Sequence, residues 1–107
     1  MHYFTEISPL VKEIELRQQP VIITVNEFNE EAVQKFNEQM CHAQNSGQKV
    51  IPIEIDSYGG QVYSLMSMIS SIKASKVPVA TIVQGKAMSC GAILSSFGSE
   101  GLRFMDK

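Results

Sequence analysis

Residues 50–83 read VIPIEIDSYGGQVYSLMSMISSIKASKVPVATIV, and the changes of hydrophobic period along this stretch decide the fold. Val50-Ile51-Pro52-Ile53-Glu54-Ile55 has the composition and length of a strand. Its Pro52 lacks an amide donor, which suggests a sheet edge, a bulge or a strand start. After the turn Ser57-Tyr58-Gly59-Gly60, the residues Val62, Leu65, Met66, Ile69 and Ile72 recur at helical spacing as one apolar stripe, and Lys73 and Lys76 suit the negative end of that helix. Val77-Pro78-Val79-Ala80-Thr81-Ile82-Val83 returns to strand composition. Strand, helix and strand of these lengths make one βαβ unit, whose crossover is right-handed almost without exception and whose strands are parallel.

The pattern continues on both sides. Upstream, Pro20 precedes the β-branched run Val21-Ile22-Ile23-Thr24-Val25, bounded by Asn26. Asn29 then caps a helix opening with Glu30 and Glu31, which favour the positive end of its dipole, and Val33, Phe36, Met40 and Ala43 give it an apolar face until Asn45-Ser46-Gly47. Downstream, Gly85-Lys86-Ala87-Met88 reads as a turn into an apolar helix from about Ser89 to Phe97, stopped by Gly98, and Leu102-Arg103-Phe104-Met105 opens a fourth strand. The order β-α-β-α-β-α-β places the chain in the α/β class with a largely parallel sheet. Residues 1–19 are the least regular part and read as an N-terminal arm suited to assembly; residues 20–107 read as one domain or part of one.

Composition narrows the function. With 107 residues, 44% hydrophobic and 19% charged, the chain has enough apolar content for a core. Eleven acidic and nine basic side chains are scattered without long runs, so no electrostatic footprint for nucleic acid or an anionic membrane is present. The start, MHYFTEISPLVKEIELRQQP, mixes acidic with apolar residues and fits neither a signal peptide nor a transmembrane helix, leaving the cytoplasm as the default location. Cys41 and Cys90 lack C-x-x-C spacing and are expected to be reduced core residues. His2 and His42 stand alone, so no metal and no cofactor is expected.

Two segments carry candidate chemistry. Gly59-Gly60 sits between a strand and a helix, where exposed amides favour anions, although G-x-x-x-x-G-K-[ST] and G-x-G-x-x-G are both absent; the plain alternative is a tight turn needing positive φ. Ser89, flanked by small residues at a second strand-to-helix junction, is either a helix cap or an exposed nucleophile, with Met88 and Cys90 beside it as core. Both segments follow the C-terminal ends of neighbouring parallel strands, where open α/β sheets place ligand sites. A serine nucleophile needs amides for the oxyanion of its tetrahedral intermediate, and the glycine loop and Cys90 can each offer one.

Ile53-Glu54-Ile55-Asp56-Ser57-Tyr58-Gly59-Gly60 resembles the I-N-S-P-G-G strand and loop of Clp protease proteolytic subunits. Val79 to Ala92 resembles their pV-x-T-x-x-x-G-x-A-x-S-x-G-A segment. The separation of 29 positions between Gly60 and Ser89 agrees with that family, as does Gly98 followed by Gly101-Leu102-Arg103. The resemblance covers roughly Val21 to Lys107 and implies the repeated ββα fold shared with crotonases, here as its N-terminal part. It further implies a serine endopeptidase with Ser89 as nucleophile and the Gly60 and Cys90 amides as oxyanion hole, Gly59 shaping the loop without donating. A peptide or protein substrate, a homo-oligomeric ring and an AAA+ unfoldase partner belong to the same implication.

The departures are Tyr58 for proline, Asp56 for asparagine and Met88-Ser89-Cys90 for the commoner alanine-serine-methionine, which together suggest a divergent, phage-type branch. The family's histidine and aspartate fall beyond Lys107, so this chain alone is expected to be nearly inactive. His42, near the far end of the first helix, is no substitute. Three rival readings remain open: a crotonase-like acyl-CoA enzyme using the same two amides without Ser89, a non-catalytic ring subunit, and a capsid-maturation protease working without an ATPase.

Overall fold

Strands and helices alternate along residues 20–105, the part that the computed structural model describes; the predicted N-terminal arm lies outside it. In order they are β1 (Ile23–Val25), α1 (Glu30–Asn45), β2 (Ile51–Ser57), α2 (Val62–Ala74), β3 (Val79–Ala87), α3 (Cys90–Ser95) and β4 (Arg103–Met105). The strands form one sheet in the order β1-β2-β3-β4, every pair parallel. Each parallel step needs a crossover, and the helices of the expected β-α-β-α-β-α-β order supply it.

β2 shows how the core is built. Ile51, Ile53, Ile55 and Ser57 are buried, while Pro52, Glu54 and Asp56 between them are half-exposed. The buried isoleucines join Phe36, Met40 and Ala43 of α1, Leu65, Met68 and Ile72 of α2, and Cys90 and Leu94 of α3 in one cluster. Pro52 stands at the start of a central strand, one residue ahead of the first β1 pair, Ile23↔Ile53. Its missing amide therefore interrupts no ladder. Gln48 closes that end instead: its side chain accepts from the Val21 amide at 2.8 Å and donates to the Val21 and Val50 carbonyls at 3.1 and 2.8 Å.

Asn29 caps α1 as expected, its side-chain oxygen accepting from the Ala32 amide at 2.7 Å. The stripe expected on α2 is rotated. Leu65, Met68 and Ile72 face the core with Ser64, whereas Val62 and Met66 are exposed. The helix is apolar on two sides, and spacing alone does not say which side meets the sheet. Cys41 is exposed and only Cys90 is buried; both are free thiols. β1 starts later than expected because Val21 bonds the Gln48 side chain, and β3 starts at Val79 but runs on to Ala87, through residues expected to turn. No helix among the described residues is long and apolar enough to cross a membrane.

Candidate active site

β2 and β3 pair in simple register from Ile51↔Val79 to Ile55↔Val83, and then Ser57 pairs with Ala87. Two extra residues on β3 are absorbed in between, where Gly85 takes φ +87°. The strand therefore survives the predicted turn and carries Ala87 back beside Ser57, with the Met88 amide donating to the Ser57 carbonyl at 2.9 Å. This bulge brings the Ser89 segment against the glycine loop.

Ser89 is the one non-glycine residue among those described with positive φ, at φ 52° and ψ −115°. Its position before α3 suits a cap, yet its side chain makes no capping bond. The cap alternative read from the sequence is therefore not realised, and among the described residues no hydrogen bond engages the exposed hydroxyl. The short helix is held otherwise, by the Gly91 amide donating to Met88 and the Ile93 amide donating to the Ser89 carbonyl. Strain held at an exposed serine between a strand and a helix is the local geometry of a nucleophile elbow.

The glycine loop meets this elbow directly. Gly59 has φ +115°, and a Cβ added there would lie 2.9 Å from the Ser89 Cβ and 3.2 Å from the Met88 carbonyl oxygen. Gly60 packs as closely on the other side, where a Cβ would lie 2.6 Å from the Phe28 carbonyl oxygen. Gln61 donates to that same oxygen at 2.8 Å. The Gly59 amide donates to the buried Ser57 hydroxyl at 3.0 Å, and the Cys90 thiol donates to the Gly60 carbonyl at 3.4 Å. Among the described residues, neither the Gly60 nor the Cys90 amide donates to a protein acceptor. Ser89, Gly60 and Cys90 are thus brought together, with two unused donors beside one uncommitted hydroxyl.

A third feature has no signal in the residue pattern. Lys86, inside the bulge, donates to Asp56 Oδ1 at 2.8 Å and places its ammonium 4.5 Å from the centre of the Tyr58 ring. The hydrogen bond from Lys86 holds the Asp56 carboxyl below the usual carboxylate range, and the same bond holds Lys86 above the usual lysine range. His42 lies in the last turn of α1. That end of the helix meets the strand starts through Ser46 and Gln48, so β2's whole length separates it from Ser89. Met88, expected in the core, is exposed. A cleft of about 320 Å³ beside β1, lined by residues that include Asn26, Glu31, Lys35 and Gln39, does not include Ser89, Gly60 or Cys90, although the Asn26 side chain donates to the Asp56 carbonyl at 3.1 Å. No three His, Cys, Asp or Glu side chains among the described residues come together as a metal site.

Comparison with known proteins bears on this geometry. The Clp protease family model matches residues 10–107. The ATP-dependent Clp protease proteolytic subunit of Leuconostoc citreum (strain KM20) is 44% identical over 57 residues, 53% of this chain and 28% of that protein. The subunit of the same name from Streptococcus suis (strain 98HAH33) is 37% identical over 57 residues, 53% of this chain and 29% of its own length. The crystal structure of the ClpP protease catalytic domain from Plasmodium falciparum superposes with a TM-score of 0.73 at 22% identity, covering 79% of this chain and 53% of that one. The matched region is therefore well under two thirds of each of these proteins.

Proposed function

The chain belongs to the Clp protease family, and from that premise we propose that it supplies the nucleophile and oxyanion hole of a serine endopeptidase. The observation that carries the reading is Ser89: a strained, exposed serine with no capping bond, packed against Gly59 and flanked by two amides with no acceptor. In this mechanism Ser89 Oγ attacks the carbonyl carbon of a peptide bond. The Gly60 and Cys90 amides stabilise the oxyanion, and the amine leaves with a proton to give an acyl-enzyme that water hydrolyses. Gly59 shapes the loop, and its amide is already engaged by Ser57.

The proton must be carried by a base other than His42. In the family resemblance a histidine has that role, and an aspartate orients it and stabilises its charged form. Losing a triad member leaves roughly 10³–10⁴-fold catalysis over water from oxyanion hole and binding. The relatives' name, proteolytic subunit of an ATP-dependent protease, supports a protein substrate and an ATP-driven partner. The family resemblance adds a ring of like subunits and identifies that partner as an unfoldase within the same proposal. No observation favours the acyl-CoA or scaffold alternatives.

A serine without a base is a weak nucleophile, so the reading is tested in a chain that also carries the family's histidine and aspartate. Exposure to an alkyl fluorophosphonate, followed by peptide mass spectrometry, is expected to modify Ser89 in preference to the other eleven serines of this sequence. Modification spread over exposed serines such as Ser67 and Ser96, with Ser89 no faster, refutes it.

A further inference from the structure

We propose that Lys86 is a positioning residue for this site, acting through Asp56 and Tyr58 to hold the Gly60 loop in register with Ser89. The inference rests on the reading of Ser89 and Gly60 as parts of one acyl-transfer site. The bulge creates the need: two unpaired residues of slack lie on β3 just before Ser89, and β2 ends just before the glycine loop. Ladder hydrogen bonds are interrupted between Ile55 and Ser57, at the point where two segments must keep a fixed separation.

Lys86 bridges that gap from its centre. It lies three residues before Ser89 in sequence, and its ammonium reaches Asp56 Oδ1 at 2.8 Å on β2. The same ammonium covers the face of Tyr58 at 4.5 Å, and Tyr58 is the residue immediately before Gly59. Tyr58 is 75% exposed, so packing does not hold it, and among the described residues the Lys86 contact is what engages its ring. Gly85 makes room for the arrangement, since a Cβ there would stand 3.1 Å from Asp56 Oδ1. Cation, carboxylate and ring thus tie the strand carrying Ser89 to the loop carrying Gly60. Asp56 and Tyr58 are two of the departures from the family's loop pattern, and Lys86 gives both a common partner.

An exposed ion pair contributes little to stability, so removing this one should leave the fold intact and move the site. A displacement on the order of 1 Å can cost up to about a hundredfold in reactivity. The test compares wild type, Lys86→Ala and Lys86→Arg by Ser89 fluorophosphonate labelling rate, ¹⁵N relaxation at Gly59 and Gly60, and thermal midpoint. Lys86→Ala is expected to slow Ser89 labelling by roughly tenfold or more and to drop the order parameters of Gly59 and Gly60 below about 0.6, with the midpoint unchanged. Lys86→Arg, which keeps both the carboxylate and the ring contact, should restore labelling to within a few-fold of wild type. Unchanged labelling in Lys86→Ala overturns the positioning role while leaving the peptidase reading standing, even if the loop loses order. Absence of Ser89-selective labelling in wild type overturns the peptidase reading and the positioning role with it.

Discussion

Gly59→Ala tests the contact on which the site depends. The residue has φ +115°, and its added Cβ would sit 2.9 Å from the Ser89 Cβ and 3.2 Å from the Met88 carbonyl oxygen. Holding a non-glycine residue in such a conformation costs about 1–3 kcal/mol. Neither neighbouring atom is the end of a flexible side chain, so the overlap adds a cost like that of overpacking, about 1–3 kcal/mol. A total of about 2–6 kcal/mol follows, which at roughly 4–8 °C per kcal/mol lowers the midpoint by at least about 8 °C. Gly47→Ala is the control, because Gly47 also has positive φ, +83°, but a Cβ there meets nothing within 4 Å. It should lose only the strain, about 1–2 kcal/mol. Urea unfolding followed by far-UV circular dichroism gives both values from the midpoint shift at constant slope. If the two variants agree within about 0.5 kcal/mol, the close approach of Gly59 to Ser89 is wrong.

Other consequences are independent of that contact. Asn29→Ala removes the acceptor of the Ala32 amide and should cost about 1 kcal/mol in urea unfolding, with Asn29→Asp close to wild type. The Asp56 carboxyl titrates below its ordinary value of 3.8, so the pair's contribution is present above that pH and fades as pH falls through the folded value. Lys86 is raised, so its side of the pair is lost only as pH rises beyond the ordinary lysine range. In an NMR titration, Lys86→Ala should move the Asp56 midpoint upward; an unmoved midpoint would show that the pair does not form in solution.

The order of elements was legible because period and composition change together along the chain. Ile51, Ile53 and Ile55 alternate with more polar residues, and Phe36, Met40 and Ala43 repeat at helical spacing, so each element names its own buried face. α2 was less legible. Its Val62, Leu65, Met66, Met68, Ile69 and Ile72 fit more than one stripe, and only the position of the sheet selects Leu65, Met68 and Ile72. Cys41 misled for a related reason: cysteine is usually buried, but this one sits one position beyond the face set by Met40 and Ala43.

The site was legible as residues and hidden as geometry, and the bulge is the reason. Read as sequence, Gly85 to Met88 breaks the apolar run of β3 with a glycine and a lysine, which is the signature of a turn. In the fold the same glycine supplies one positive-φ step within a strand, so Ala87 regains its place beside Ser57. A strand that ended at Val83 would leave Ser89 six residues from the ladder, free to relax its backbone and cap α3. Because the strand resumes, the Met88 amide is fixed to the Ser57 carbonyl and Ser89 must turn sharply into α3 at φ 52°. The strain at Ser89, its unused hydroxyl and its contact with Gly59 are then consequences of the strand's return to the ladder. Gly85→Val disfavours the positive-φ step that permits this return, so Ser89 should take ordinary helix-cap geometry and show no preference over other serines for the fluorophosphonate. A Gly85→Val variant that folds and still labels selectively at Ser89 would show that the bulge does not set the conformation of Ser89.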